Sequence, residues 1–285
     1  MRPRRRRRAS RKADIRRLVP DRSILRRAPG PGWLTVVARP SESSQSRRRP
    51  SAWGWLVTVC ACVVAGAALA LTAWWLLSAE TSVASYAVRG SVNGITLDLG
   101  AADAEIVGGG DRPEVQVRRT DEFAFGRRAE SRRQATAGEL TISSRCPRSV
   151  VLHVCSASYR LTVPDNVRVT VRTSSGDVRF NGYRGSAQVD TGSGDVSVTG
   201  FCGFALRAKA QSGDVSATAS CALERLELRS RTGDVRATVP TGRYQVDAES
   251  DDGERSVRGV TEAEDAPFQI QALSSAGDVT VEASG

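Results

Sequence analysis

A motif of glycine, aspartate and valine recurs five times in the C-terminal half of the chain, which has 285 residues. Its copies are TSSGDVRF, TGSGDVSV, AQSGDVSA, SRTGDVRA and SSAGDVTV. Together with one degenerate copy, the turn glycines are Gly176, Gly194, Gly213, Gly233, Gly253 and Gly277, at spacings of 18, 19, 20, 20 and 24 residues. Self-similarity at such a spacing is typical of proteins built from stacked repeats.

Apolar residues flank the repeated glycines at fixed distances. The residues seven and five positions before each glycine are apolar in every copy, and those two and four positions after it are apolar except at Arg255. Alternation with a period of two on both sides of a polar turn predicts two short strands per repeat. Since so short a unit cannot bury its own apolar face, we expect successive units to stack, with equivalent strands paired in parallel.

The repeat therefore predicts an all-β fold, a single-stranded parallel β-solenoid (β-helix) with about 18–20 residues per coil. An antiparallel sandwich would explain the alternation but not the constant offset around each glycine. We expect the glycines to adopt turn conformations that a side chain would forbid. The stretch GITLDLGAADAEIVGG, residues 94–109, is a degenerate copy and predicts a first coil. Residues 111–164 are interpreted as an irregular excursion of the same domain, and residues 165–282 as regular coils.

A membrane-spanning segment is predicted before the repeats. Residues 50–79 carry no charge, and pairs of tryptophans lie near both ends of this stretch. A cleaved signal peptide is the alternative, because SVASYA, residues 82–87, has the small residues of a cleavage site. Arg47, Arg48 and Arg49 predict a cytoplasmic N-terminus and an extracytoplasmic C-terminal domain in a single-pass membrane protein.

The basic charge of the chain is concentrated before this segment. Residues 1–50 contain 17 Lys and Arg against three acidic residues and little apolar periodicity, which predicts a disordered tail. Such a tail can contact anionic lipid, whereas nucleic acid is not expected as a partner. The predicted layout is a cytoplasmic tail at 1–50, a transmembrane helix at 51–79, a linker at 80–89 and the solenoid domain at 90–285.

Four of the six cysteines follow the membrane segment, and the even number in an oxidising compartment predicts disulfides. Cys202 and Cys221 each stand eight residues after a repeat glycine, so they share one register on adjacent coils. Equal positions on adjacent coils lie about 4.8 Å apart, within the Cα separation that a disulfide accepts. We therefore predict the pairs Cys202–Cys221 and Cys146–Cys155; four free buried thiols are the alternative.

Residues that could support catalysis are few. His153 is the only histidine, which argues against a histidine triad or a multi-histidine metal site, and the chain has no P-loop or dinucleotide motif. We expect no enzymatic activity and no cofactor. The repeated aspartates form a row in which turn hydrogen bonds are favoured, and calcium bound between coils is the weaker alternative. They are Asp177, Asp195, Asp214, Asp234 and Asp278.

The SGDV-type repeats, the single helix before them and the stretch from CP at residue 146 to YRLTVP resemble a bacterial family of candidate adhesin domains. This resemblance covers residues 90–282 and implies a β-solenoid domain of the cell envelope whose function is uncharacterised. We expect a non-enzymatic module for adhesion, envelope binding or scaffolding, with an envelope protein or a glycan as its partner. The alternative is an envelope sensor whose Arg-rich tail is the cytoplasmic output, and a solenoid enzyme is a third class.

Overall fold

The computed structural model describes residues 52–77, 79–124, 128–146 and 155–284. Within these residues the chain has one helix, α1 Ala52–Leu77, followed only by strands. The strands are β1 Ala79–Arg89, β2 Gly94–Asp98, β3 Asp103–Gly108, β4 Glu114–Ala124, β5 Glu130–Thr136, β6 Glu139–Arg145, β7 Cys155–Val163, β8 Arg168–Thr173, β9 Val178–Asn181, β10 Ser186–Ser193, β11 Val196–Phe201, β12 Ala205–Ser212, β13 Val215–Ala219, β14 Arg225–Thr232, β15 Val235–Pro240, β16 Arg243–Ser250, β17 Arg255–Arg258, β18 Thr261–Glu262, β19 Gln269–Ala276 and β20 Val279–Ser284.

Two ten-stranded sheets contain all of these strands. Sheet A runs in the order β1-β4-β7-β3-β9-β11-β13-β15-β20-β17, and sheet B in the order β18-β16-β19-β14-β12-β10-β8-β2-β6-β5. Each repeat gives one strand to sheet B and, after its glycine turn, one strand to sheet A. Equivalent residues pair in parallel in the predicted register, as where Val189 lies opposite Ala208 and Val196 opposite Val215.

The coils stack in an order that differs from the order of the chain. We number them β2–β3 (I), β6–β7 (II), β8–β9 (III), β10–β11 (IV), β12–β13 (V), β14–β15 (VI), β16–β17 (VII) and β19–β20 (VIII). Along both sheets the order is II, I, III, IV, V, VI, VIII, VII. Coil I thus lies between II and III, and coil VIII lies between VI and VII. The prediction that coils follow one another in sequence is wrong at both ends of the stack.

The sheets are mixed, so the predicted purely parallel solenoid needs correction. Strand β4 pairs antiparallel with β1 and β7, and β5 pairs antiparallel with β6. All three antiparallel additions lie at one end of the stack, beyond coil II. Strand β5 forms a hairpin with β6 and has exposed side chains, whereas β4 contributes Val115 and Val117 to the core.

Two predicted segments also have more regular structure than expected. Residues 139–145 and 155–163, assigned to the irregular excursion, form coil II and pair in parallel with coil I. Residues 80–89, predicted as a linker, belong to β1, which pairs with β4 over its whole length. The sequence AETSVASYAVR lacks the strict alternation of the repeats because β1 is an edge strand with mostly exposed side chains. Residues 1–50 lie outside the described residues.

The core lies between the two sheets and is formed by the alternating residues of each repeat. Almost every position predicted to face inward is buried; the two half-buried exceptions are Val246 and Val257. Both belong to coil VII, which is the outermost coil at its end of the stack. Arg255, the break in the apolar pattern, is in the same coil, and its Nε donates to the Ala248 carbonyl at 2.9 Å. An arginine is tolerated there because no further coil packs against it.

Candidate functional site

The aspartates that follow the repeat glycines form a continuous hydrogen-bonded ladder along the turn edge. At each step a carboxylate oxygen accepts the backbone N–H of the acidic residue in the next coil, at 2.8 to 3.1 Å. The ladder comprises Asp103, Asp177, Asp195, Asp214, Asp234, Asp278 and Glu254. All five calcium candidates therefore accept a backbone N–H at the turns. Across the described ranges, no group of three or more His, Cys, Asp or Glu is placed to hold a metal ion.

The repeat glycines permit close stacking of successive turns. Gly194, Gly213, Gly233 and Gly277 have φ between +124° and +147°, which L side chains rarely adopt. A side chain would also collide with the carbonyl of the glycine in the neighbouring coil. Gly176 and Gly253 have no such φ and are required by close packing alone, against the carbonyls of Ala102 and Gly277.

A second ladder, which the sequence interpretation missed, runs inside the first. The residue three positions before each glycine is Ser or Thr in five of the six copies. Ser230, Ser250 and Ser274 each donate to a glycine carbonyl of the neighbouring coil at 2.7 to 2.8 Å. Thr173 donates to the Gly100 carbonyl at 2.8 Å, whereas the buried Thr191 hydroxyl has no partner among the described residues, so this ladder is interrupted at coil IV. The recurrence of a small hydroxyl residue at this offset was the available signal.

Both predicted disulfides are present. Cys202–Cys221 joins coils IV and V with a Cα separation of 5.1 Å, and Cys146–Cys155 joins the end of β6 to the start of β7 at 6.0 Å. Cys60 and Cys62 are free and lie in α1. His153 lies outside the described residues. The disulfides, the glycines and the aspartate ladder all stabilise the stack, so the site that can bind a partner has to be sought elsewhere.

Helix α1 is long and apolar enough to cross a membrane. Its apolar stretch runs from Trp53 to Trp74, with a mean hydropathy of 2.3, and it is the one such helix among the described residues. Trp53, Trp55 and Trp74 are exposed. A membrane anchor and a signal sequence both fit these properties. The side chain of Trp75 lies outside the described residues.

The outer face of sheet B carries a polar groove that crosses β10, β12, β14, β19 and β16. Two adjacent depressions form this sheet B groove, and they share Lys209 and Arg229. The first, of about 580 Å³, is lined also by Asp190, Gln211, Arg231, Glu249 and Asp251. The second, of about 460 Å³, is lined also by Arg207, Arg225, Asp247 and three glutamines, Gln245, Gln269 and Gln271. None of the exposed large hydrophobic side chains of the described chain lies in it.

A buried carboxylate organises the second depression. The side chain of Glu227 points to the outer face of the sheet. It is nevertheless only 7% exposed, because three cations cover it. Arg207 Nε lies 2.6 Å from one of its oxygens, and Arg229 Nε and Lys209 Nζ lie 3.1 and 3.5 Å from the other. The cations are 40 to 46% exposed, so their outer donors face solvent. One carboxylate thus fixes the positions of three positive side chains.

Hydrogen bonds extend this order across neighbouring strands. Arg229 Nη2 donates to Gln271 Oε1 at 2.6 Å, and Gln271 Nε2 donates to Asp247 Oδ2 at 2.7 Å. Arg225, a fourth cation in the depression, donates to Gln269 Oε1 at 3.2 Å. The groove can therefore present ordered cations and amides to a ligand. None of the site residues predicted from the sequence lines the groove, and its charged residues were not singled out from the sequence.

Solved structures with a similar arrangement share little sequence with this chain. A candidate cell adhesion protein from Clostridium sporogenes is 10% identical, with a TM-score of 0.44, and the match covers 72% of this chain and all of that one. A candidate adhesin from Bacteroides fragilis is 16% identical with a TM-score of 0.38, and a candidate lipid binding protein from Parabacteroides distasonis is 10% identical with a TM-score of 0.31. Each of these two matches covers 72% of this chain and 97% of the other. No curated protein matches the sequence.

The family comparison gives a firmer result, and it agrees with the resemblance inferred from the repeats. Residues 134–284 match the family described as Toastrack DUF4097, which is more than half of the 285 residues. The matched range includes coils II to VIII, with the six glycine turns and both disulfides. The chain therefore belongs to the Toastrack DUF4097 family.

Proposed function

We propose that the chain is a single-pass membrane protein whose β domain lies outside the cytoplasm and binds or scaffolds a component of the cell envelope, without catalysing a reaction. The observation that carries this proposal is the pair of disulfides, because such bonds persist in oxidising compartments. Helix α1 supplies the anchor, and the arginines before it favour a cytoplasmic N-terminus.

The sheet B groove supports a binding role for the β domain. Its side chains stand on strands that are hydrogen-bonded to a neighbouring strand on both sides, except that β16 has one neighbour, β19, along most of its length. The binding groups are therefore held on a rigid element. Its polar lining suits a hydrophilic partner. Adhesion or scaffolding needs only a binding surface of this kind. The acidic residues at regular positions along the turns do not form such a surface, because they are hydrogen-bonded to backbone amides.

Protease protection tests the topology. Protease added to intact spheroplasts is expected to degrade the chain after Glu80 and to spare residues 1–50, because the positive residues before α1 retain the N-terminus inside. Permeabilised spheroplasts, in which both parts are accessible, are the control. Cleavage of the tail with protection of the β domain would contradict the proposal.

Site-specific photo-cross-linking tests the binding role. Gln211 in the groove and Thr218 on the outer face of sheet A are both exposed and both belong to coil V. A photoreactive residue at position 211 is expected to capture an envelope component on intact cells, and the same residue at 218 is not. Equal capture from both positions would show contact without a specific surface. Deletion of residues 1–45 should leave capture unchanged; its loss would favour the sensor alternative.

A further inference from the structure

The second depression of the sheet B groove has an excess of positive charge at its centre. Arg207, Lys209, Arg225 and Arg229 supply four positive charges, and only Glu227 and Asp247 oppose them. Glu227 is buried below its cations and so cannot be a primary contact for a ligand. The first depression is balanced, with three cations and three acidic residues, so the asymmetry marks one place in the groove.

The hydrogen bonding of the cluster leaves donors free to bind an anion. Arg207 uses its Nε for Glu227, so the Nη groups at the end of its guanidinium remain for a ligand. Arg229 Nε lies within ion-pair distance of Glu227 without being aligned for a hydrogen bond, but it is buried and so is not one of these free donors. Arginine and lysine donors held in fixed positions favour carboxylate or phosphate oxygens, because charge-assisted hydrogen bonds are stronger than neutral ones.

The shape and chemistry of the groove favour a polysaccharide over a membrane surface. The groove is concave and crosses five strands, which at about 4.8 Å per strand gives a path of roughly 19 Å for a linear chain. The side-chain amides of Gln245, Gln269 and Gln271 can bond to sugar hydroxyls. A lipid surface would instead call for protruding apolar side chains among the cations. The exposed Phe204 lies just before β12 and outside the lining of the groove, and Leu273 in the first depression is half-buried.

We propose that this depression binds an anionic polysaccharide of the cell envelope, with Lys209 and Arg225 as ligand-contacting cations. This inference rests on the proposed function, because it names the ligand class of the same groove. Recognition depends on ionic contacts and amide hydrogen bonds, since the sequence has no tryptophan after residue 75 for stacking on sugar rings. Binding should therefore weaken strongly as salt is added.

Binding of fluorescent polygalacturonate tests the proposal, with the full chain reconstituted in phosphatidylcholine nanodiscs. The double variant Lys209→Gln/Arg225→Gln keeps the two closest partners of Glu227, and it is expected to lose at least about tenfold in affinity. The matched control is Arg179→Gln/Arg236→Gln, which removes two exposed charges from sheet A and should change affinity less than about twofold. Each comparison is repeated in chains that begin at residue 46, which removes the tail as a second basic region.

Two further measurements make the test decisive. Neutral dextran should not compete, and vesicles of phosphatidylglycerol should compete no better for the wild type than for the double variant. No binding of polygalacturonate, equal losses in both double variants, or preferential competition by vesicles would each overturn the proposal while leaving the membrane topology intact.

Discussion

Each aspartate of the ladder accepts a strong hydrogen bond and repels its neighbours. Carboxylates about 4.8 Å apart repel by roughly 0.9 kcal/mol in a water-like dielectric. A hydrogen bond to a charged acceptor contributes about 1.5–3 kcal/mol, so the bond outweighs the repulsion. The exposed position of the aspartates keeps the repulsion near its lower limit.

Substitution at Asp214 tests this balance. Asp214→Ala removes the acceptor of the Asp234 N–H, which lies 2.8 Å from it, and is expected to cost about 1–2 kcal/mol of unfolding free energy. Asp214→Asn keeps an oxygen acceptor and relieves repulsion, so it should cost less. Denaturant unfolding measures both, with Asp190→Ala as an aspartate outside the ladder. Equal losses from Ala and Asn would show that the hydrogen bond is not the stabilising interaction.

Calcium should have little effect on the stability of the chain, because the ladder oxygens are engaged with backbone amides. We expect the thermal unfolding midpoint to change by less than about 10 °C between calcium and chelator. A larger rise with calcium would mean that ions bind between coils, and loss of that rise in Asp214→Ala would place them in the ladder. Magnesium at equal ionic strength is the control.

The buried tyrosines should limit stability at high pH. Burial raises the pKa of Tyr183 far above its usual value, and burial raises the pKa of Tyr244 as well. Because the unfolded chain releases these protons from about pH 10 and the folded chain does so only at higher pH, the stability is fully present below pH 10 and falls above it. The slope contributed by Tyr183 approaches about 1.4 kcal/mol per pH unit above pH 10.

Chemical unfolding between pH 8 and 11 measures this slope. Tyr183→Phe should unfold with a shallower decline above pH 10 than the wild type, even though it is less stable at pH 8 after losing the hydrogen bond to the Val167 carbonyl. Because Tyr183 is fully buried, the difference between the two proteins reports on a buried phenol and not on an exposed one. Parallel curves for the two proteins would contradict a role for Tyr183 in alkaline unfolding.

At the level of residues, the sequence predicted those features whose positions are determined by the period of the repeat. Inward positions, turn glycines and the aspartate row follow from fixed offsets, and the structure has them there. The Glu227 cluster was not predicted, because a carboxylate on an outward position is expected to be exposed. Its burial depends on Arg207 and Lys209 of the neighbouring strand β12 and so on the register between coils V and VI.

At the level of elements, Cys202–Cys221 fixes the register of coils IV and V. The bond closes a loop of 19 residues, and in the loop-entropy description such a closure stabilises by about 3 kcal/mol. The pairing was predictable because both cysteines stand at the same offset from a glycine. Cys146–Cys155 was assigned by elimination, and its strands were not recognised as a coil because residues 139–163 lack the glycine turn motif.

The variant Cys202→Ser/Cys221→Ser is expected to lose about 3 kcal/mol of unfolding free energy. Cys60→Ser/Cys62→Ser, which removes the two free thiols of α1, is the matched control and should leave the β domain unchanged. Guanidinium unfolding of both variants gives the difference. Peptide mapping without reductant checks the pairing, and a Cys146–Cys202 or Cys155–Cys221 peptide would contradict it.

At the level of the whole molecule, the coils do not stack in the order in which they occur in the chain. Coil VIII is last in sequence but has a coil on each side, whereas coil VII is the outermost one. The sequence could not predict this order, because coils with the same period and register can pair with any neighbour. The spacing of 24 residues before Gly277 and the degenerate turn at Gly253 indicated that the last two coils are irregular, but not in which order they stack.

A pair of register partners tests the order. Val281 of coil VIII is fully buried and lies opposite Val257 of coil VII, which is half-buried. Val281→Ala should cost about 2 kcal/mol of unfolding free energy and Val257→Ala clearly less, because only the first leaves a cavity enclosed on both sides. If the coils stacked in chain order, coil VIII would be outermost and the two losses would be reversed.

The insertion of coils I and VIII restricts how a protein of this kind can lengthen during evolution. A solenoid whose coils follow the chain can gain a repeat by duplication at either end. Here coils II and VII occupy the outer positions, so a new terminal repeat would have to displace one of them. Duplication is open to coils III to VI, where stacking and chain order agree. Those four coils carry the turns SSGDV, GSGDV, QSGDV and RTGDV, the most uniform stretch of the sequence and the expected trace of growth from within.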